Sequence, residues 1–269
     1  MFRILRGAGG ERVFRVATLS ALALLALFFI GIIVSLLAFT DWHTFLAALL
    51  SEEILFAIRL SLVTATVAAV ISLLVAVPVA YAISRASFPG KDIVDSLLDL
   101  PIVISPVALG AALLVFFNTP LGGAIDDNFI RFVFAVPGIV LAQVTVISAL
   151  AIRLLKSTFD GIDPRYEQVA RTLGCSQPEA FFRVTLPLAR DGLIASAILT
   201  WARAVGEFGA TITLAGATAL KTETLPVAIF LSLASADVEK AIAVIFVLVI
   251  IAVAALLAIR RIIGRRYQI

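Results

Sequence analysis

The strongest constraint on this chain is the recurrence of apolar runs long enough to cross a lipid bilayer. A helix rises 1.5 Å per residue, so about 20 apolar residues cover a hydrocarbon core of about 30 Å. Runs of that scale recur near residues 16–40, 54–84, 98–118, 133–155, 186–209 and 241–260. The third is interrupted by Pro101, Pro106 and Gly110. A membrane helix tolerates such breaks where neighbours satisfy the freed carbonyls. Leu225 to Ala234 is apolar but too short to span, and fits a re-entrant or interfacial segment. The chain is 62% hydrophobic and 14% charged, against about 45–50% and about 25% for soluble domains. With no linker or low-complexity stretch, residues 1–269 are expected to form a single transmembrane domain: an all-α polytopic membrane protein of six transmembrane helices.

The basic residues follow those runs. Arg3, Arg6, Arg12 and Arg15 precede the first; Arg85 and Lys91 follow the second. Arg153, Lys156, Arg165, Arg171, Arg183 and Arg190 follow the fourth, and Arg260, Arg261, Arg265 and Arg266 close the chain. Only Arg59, Arg131, Arg203, Lys221 and Lys240 fall elsewhere. The positive-inside rule therefore places both termini and the 153–190 loop in the cytoplasm. The net charge of +3 is explained by topology, and no nucleic-acid partner is expected. The N-terminal run is longer than the 7–15-residue core of a signal peptide, so it is read as a retained first helix. Cys175 is the one cysteine and His43 the one histidine. No disulfide, no metal site and no nucleophilic triad can be assembled from them. No phosphate-binding G-x-x-x-x-G-K-[ST] occurs either. The chain is expected to be non-catalytic, without cofactors.

The longest polar stretch, with its core at about 156–186, has its own local logic. Asp163-Pro164 is a helix start, with Asp as cap and Pro in the first turn. Val169, Ala170 and Leu173 are spaced to share a face, and Gly174 is placed to end the helix in the left-handed conformation. Ser176-Gln-Pro-Glu179 restarts a helix with a capping-box pattern. Phe181, Phe182 and Val184 follow. The expectation is helix, turn, helix, leading into a span.

This stretch resembles the cytoplasmic coupling loop of ABC importer permeases, whose motif is EAA, three residues, Gly, nine residues, I-x-L-P. Gln168-Val169-Ala170 stand for EAA, Gly174 for the glycine, and Val184-Thr185-Leu186-Pro187 for the end. Gln168 replaces the motif's Glu and Val169 its first Ala, while Glu167 lies one position early. The resemblance implies the type I permease fold. It also implies that Glu167, Gln168, Ala170, Arg171, Leu173, Gly174, Phe181, Phe182, Leu186 and Pro187 couple the spans to a separate ATPase dimer. From the residues alone, an amphipathic helix lying on lipid is the alternative.

A second informative stretch, WARAVGEFGATITLAG, spans Trp201 to Gly216. Arg203 and Glu207 are four apart and share a helical face. Charges at membrane depth face a cavity or each other, so the pair either holds the helix end or lines a passage. Arg203, Glu207, Gly209, Thr211 and Thr213 are the candidate gate residues, with Gln143, Thr145 and Ser148 as further polar candidates. Gly206, Gly209 and Gly216 permit close helix approach or unwinding.

GEFGAT, LAG and TETLPVAIF (Thr222–Phe230) extend the resemblance to the permeases for molybdate, tungstate and sulfate, most of all those for molybdate. That resemblance implies a prokaryotic plasma-membrane importer with a second permease copy, an ATPase dimer and an extracytoplasmic oxyanion-binding protein. Rival readings are sulfate or thiosulfate as cargo, an ion-coupled carrier acting alone, and a membrane scaffold. The second needs intramembrane carboxylates, of which the spans hold almost none.

Overall fold

The computed structural model describes residues 8–38 and 42–264. Arg3, Arg6, Arg265 and Arg266 lie outside the described residues, as does the side chain of His43. The chain divides into two compact units, residues 1–47 and 48–269. The first holds α1 (Ala8–Ala38), a continuous helix whose apolar stretch is long enough to cross a membrane. After it, α2 runs over Trp42–Leu49.

The second unit is built on α3 (Glu52–Arg85), which Ser51 caps by accepting the Ile54 amide. Its inward face is a ladder of small residues, among them Ala57, Ser61, Ala65, Ala68, Ala76 and Ala80. Small side chains let helix backbones approach closely, which is how helices associate where lipid offers no hydrophobic drive between them. α4 (Lys91–Val103) and α5 (Pro106–Phe117) follow, then α6 (Pro120–Asn128). The partner of the α3 ladder is α7 (Val136–Asp160), the most extensive helix pair in the unit. Ala76, Ala80 and Ile83 meet Ala151, Ile152, Leu155 and Phe159 there.

α8 (Arg165–Thr172) and α9 (Gln177–Ala180) make up the polar loop. A wide π-type turn over Phe181–Thr185 leads through α10 (Leu186–Leu188) into α11 (Arg190–Val205). α12 (Gly209–Ala215), α13 (Leu225–Ala234) and α14 (Val238–Gly264) complete the unit. α11 packs on α3, α7 and α14, and α12 packs on α5 and α7. The α13 start is tied to α3 by the Leu225 amide, which donates to Ser61 Oγ at 2.7 Å.

The all-α expectation holds, but the count of six spanning helices is not reached. Four described helices are long and apolar enough to cross a membrane: α1, α3, α7 and α14. The expected third span, 98–118, is not one helix. It breaks between α4 and α5 with a bend of 109°, and counting that pair as one span gives five. Ile104 and Ser105 make the break: both are extended, and Ser105 accepts the Ala108 amide and precedes Pro106 at the first position of α5. A residue before proline is pushed out of the helical region. The expected fifth span, 186–209, is interrupted too. α11 has 16 residues and ends at Gly206. Leu225–Ala234 is a separate helix, as its composition suggests.

Two of the acidic residues of α4, Asp95 and Asp99, are held by α7. Arg153 Nη1 lies 3.0 Å from Asp95 Oδ1, Arg153 Nη2 donates to the Asp95 carbonyl at 3.0 Å, and the same guanidinium pairs with Asp99.

Candidate functional site

The loop is built almost wholly from local rules. Asp163 Oδ1 accepts the Arg165 amide at 2.9 Å and starts α8. Gly174, at φ +97°, ends it. The Gly174 amide donates to the Arg171 carbonyl at 3.0 Å and the Cys175 amide to the Ala170 carbonyl at 3.1 Å. This pair of bonds is the Schellman termination, which glycine adopts without a Cβ penalty. Ser176 and Glu179 then form the capping box: the Ser176 amide donates to Glu179 Oε2 at 2.8 Å and the Glu179 amide to Ser176 Oγ at 3.4 Å. Those bonds, first the Ser176 amide, hold the Glu179 carboxyl below its usual range, helped by Arg183.

The faces of α8 differ from the simple spacing argument. Ala170 does not share a face with Val169 and Leu173: it is buried, while they are exposed, Leu173 by 81%. Tyr166, Val169 and Leu173, at i, i+3 and i+7, form one outward apolar stripe. Glu167 and Ala170 point inward. Gln168, Arg171 and Pro187 are exposed, and Leu186 is half-buried.

The reason lies in α3. Arg85 Nε meets Glu167 Oε1 at 3.0 Å and Tyr81 Oη donates to Glu167 Oε2 at 2.8 Å. Arg85 Nη2 also donates to the Ile162 carbonyl at 2.9 Å. Burial pushes the Glu167 carboxyl up, but hydrogen bonds from Tyr81 and Arg85, with the Arg85 charge, outweigh burial and hold it below its ordinary value. Glu167, one position before the motif's acid, thus anchors the loop, and Gln168 does not.

Phe181 and Phe182 part company. Phe181 packs its ring 4.7 Å from Tyr81 and 6.2 Å from Phe159, while Phe182 is exposed. The wide turn places them so. The Leu186 amide reaches back five residues to the Phe181 carbonyl. Pro187 has no amide to donate and its ring crowds the carbonyl four residues back, which a wider turn relieves. An apolar groove of about 700 Å³ runs between α3 and this turn, from Val70 and Leu74 to Pro178 and Phe182. Tyr81 and Arg85 were not readable as loop anchors, because only the tertiary fold brings them 82–86 residues along the chain to Glu167.

The second candidate region is the break between α11 and α12. Arg203 Nη1 lies 2.7 Å from Glu207 Oε2. Glu207 is buried and its Oε1 accepts the Ala210 amide at 3.1 Å, capping α12. Gln143 Nε2 donates to the Ala204 carbonyl at 3.1 Å, near the end of α11. Gly209 and Gly110 allow α12 and α5 to touch backbone to backbone. A Cβ on Gly110 would stand 2.8 Å from Ala210 Cα, and one on Gly209 2.9 Å from the Val107 amide nitrogen. Thr211 is buried with its hydroxyl unpartnered. Thr213, Thr145 and Ser148 bond carbonyls of their own helices. Gly216, at φ +77°, follows α12, whose Leu214 carbonyl accepts the Phe134 amide at 3.1 Å. Among the described residues no cluster of His, Cys, Asp or Glu could hold a metal.

Apolar helices of membrane-crossing length, joined by a capped helix–glycine–helix loop, define a helical membrane protein. Residues 70–268 match the family model described as "Binding-protein-dependent transport system inner membrane component", and the chain belongs to that family. It is 41% identical over 210 residues to the probable molybdenum ABC transporter permease protein HVO_B0370 of Haloferax volcanii, covering 78% of this chain and 76% of that one. It is 39% identical over 177 residues to the molybdenum transport system permease protein ModB of Escherichia coli (strain K12), covering 65% of this chain and 77% of that protein. The sulfate transport system permease protein CysW of Synechococcus elongatus is 37% identical over 172 residues, covering 63% of this chain and 60% of CysW. Among solved structures, a bacterial alginate ABC transporter in complex with its alginate pentasaccharide-bound periplasmic protein matches with a TM-score of 0.76 at 15% identity, over 96% of both chains. That likeness concerns the fold.

Proposed function

We propose that this chain is the membrane subunit of an ABC importer for molybdate or tungstate, working by alternating access driven by ATP hydrolysis in a separate ATPase dimer. The observation that carries the coupling role is the two-sided loop. Its inner side is fastened to α3 by Glu167, Arg85, Tyr81 and Phe181. Its outer side presents Tyr166, Val169, Leu173 and Phe182 without cover. An amphipathic helix entering a groove on a partner is a common recognition mode, and a loop pinned to α3 passes a push to the spans as rigid-body motion. Gln168, Ala170, Arg171, Gly174, Leu186 and Pro187 complete the coupling element. The break at Arg203, Glu207, Gly209, Thr211 and Thr213 is the gate. Both termini and the loop face the cytoplasm of a prokaryote, a second copy completes the passage, and an extracytoplasmic oxyanion-binding protein delivers cargo. The relatives' molybdenum and tungstate names support the cargo; the likeness to a sulfate permease favours sulfate as the second reading.

The test is uptake of labelled molybdate into vesicles carrying this chain, its ATPase and its binding protein. ATP-dependent uptake suppressed by excess tungstate but not by sulfate is expected. Suppression by sulfate moves the cargo to sulfate, and uptake that ignores ATP and follows an ion gradient overturns the mechanism.

A further inference from the structure

The ion pair at the α11–α12 break is lopsided. Glu207 is 1% exposed and Arg203 38% exposed by side chain. Both Glu207 oxygens are engaged, Oε1 by the Ala210 amide and Oε2 by the Arg203 charge. The Arg203 contact is an attraction of charges and not an aligned hydrogen bond, since Oε2 accepts none. Nη1 faces Glu207, and among the described residues Arg203 has no other polar partner, so the edge of its guanidinium away from Glu207 is uncommitted there.

Depth says which way that free edge looks. Two residues before Arg203, Trp201 Nε1 donates to Thr66 Oγ1 at 3.0 Å. Thr66 lies near the middle of α3 (Glu52–Arg85), about 20 Å from its N-terminal end. α11 itself is packed among the long apolar helices α3, α7 and α14. A half-exposed arginine at that level facing lipid is costly; intramembrane charges pair with one another or face a water-filled cavity, and the pairing with Glu207 leaves the exposed part of Arg203 to account for.

From this geometry we infer that the free guanidinium edge of Arg203 is a transient contact for the tetrahedral oxyanion in passage, a role that rests on the transport reading above. A planar fork of N–H donors matches two oxygens of an oxyanion at once. Glu207 is buried behind it, so it does not confront the anion. It does cancel most of the field of Arg203, which keeps the hold weak enough for release, as conduction through a multi-contact pathway requires.

The test uses the complete transporter in liposomes, with molybdate uptake and binding-protein-stimulated ATPase measured together. Arg203→Gln should cut uptake at least about tenfold, the weight of one charge-assisted hydrogen bond, and Arg203→Lys should retain part of it. The paired variant Arg203→Gln/Glu207→Gln removes both charges, so a neutral helix end assembles whether or not Arg203 touches cargo. Assembled complex with stimulated ATPase and uptake still at least about tenfold down supports the contact. Wild-type uptake from the paired variant overturns it, because Arg203 then serves only to neutralise Glu207. Failure of the unmodified transporter to take up any oxyanion with ATP overturns the transport reading itself, and the contact with it.

Discussion

Replacing Glu167 by alanine removes the acceptor that fastens α8 to α3. Two bonds vanish, from Arg85 Nε at 3.0 Å and from Tyr81 Oη at 2.8 Å. Breaking one side of a buried ion pair costs about 3–5 kcal/mol, and hydrogen bonds to charged groups contribute about 1.5–3 kcal/mol. Arg85 and Glu167 keep 13% and 12% side-chain exposure, so water recovers part of that cost and about 2–3 kcal/mol is expected. At 1.4 kcal/mol per tenfold, α8 should detach about 30- to 150-fold more often. Hydrogen exchange reads this directly: α8 amides should speed up by that factor while α7 amides, which share the core, stay unchanged. Glu167→Gln keeps an oxygen for Arg85 and should show a smaller rise. The pH dependence has a definite sign. Because the Glu167 carboxyl is held below its ordinary value of about 4.3, the anchor is fully present above that value and is lost as pH falls through the lowered one. Unchanged α8 exchange in Glu167→Ala would refute the anchoring argument.

Three further outcomes follow from particular contacts. Gly174→Val meets no atom within 4 Å but must hold φ +97°, at a cost of at least about 1–2 kcal/mol; membrane insertion should be normal while transport per ATP hydrolysed falls. Gly110→Ala drives a Cβ to 2.8 Å from the Ala210 backbone, so α5 and α12 must separate; about 1–3 kcal/mol of stability should be lost, seen as a lower melting temperature in detergent. Ser61→Ala leaves the buried Leu225 amide without its acceptor, costing about 1–3 kcal/mol, read as faster exchange at the start of α13.

What was legible in the sequence was what neighbours in the chain decide. The Gly174 turn and the Ser176–Glu179 box depend on residues within a few positions, and both form as their spacing implies. The short helix Leu225–Ala234 is bounded where the apolar run begins and ends. The breaks at Ser105 and Gly206 were harder. Hydropathy runs straight through them, and a window that averages apolarity cannot register two extended residues before Pro106. The same blindness hid the inward turn of Ala170. Its face is set by Arg85 and Tyr81, which sit on another helix. At the α11–α12 break the sequence shows the four-residue spacing of Arg203 and Glu207, but not which of the two is buried.

The wide turn at Phe181–Thr185 also sets the loop's angular phase. Each helical residue rotates the chain by about 100°, so the extra residue held in this turn offsets α8 and α9 against α11 by about that angle. Shortening the turn by a single residue would restore an ordinary helical turn, with the Pro187 ring again crowding the carbonyl four residues back. It would also swing the Tyr166–Val169–Leu173 stripe and the Glu167 carboxylate about a quarter-turn out of alignment together. Point substitutions across 181–185 are therefore a gentler change than any one-residue deletion there, since the first alters what the turn touches and the second alters where the whole loop points.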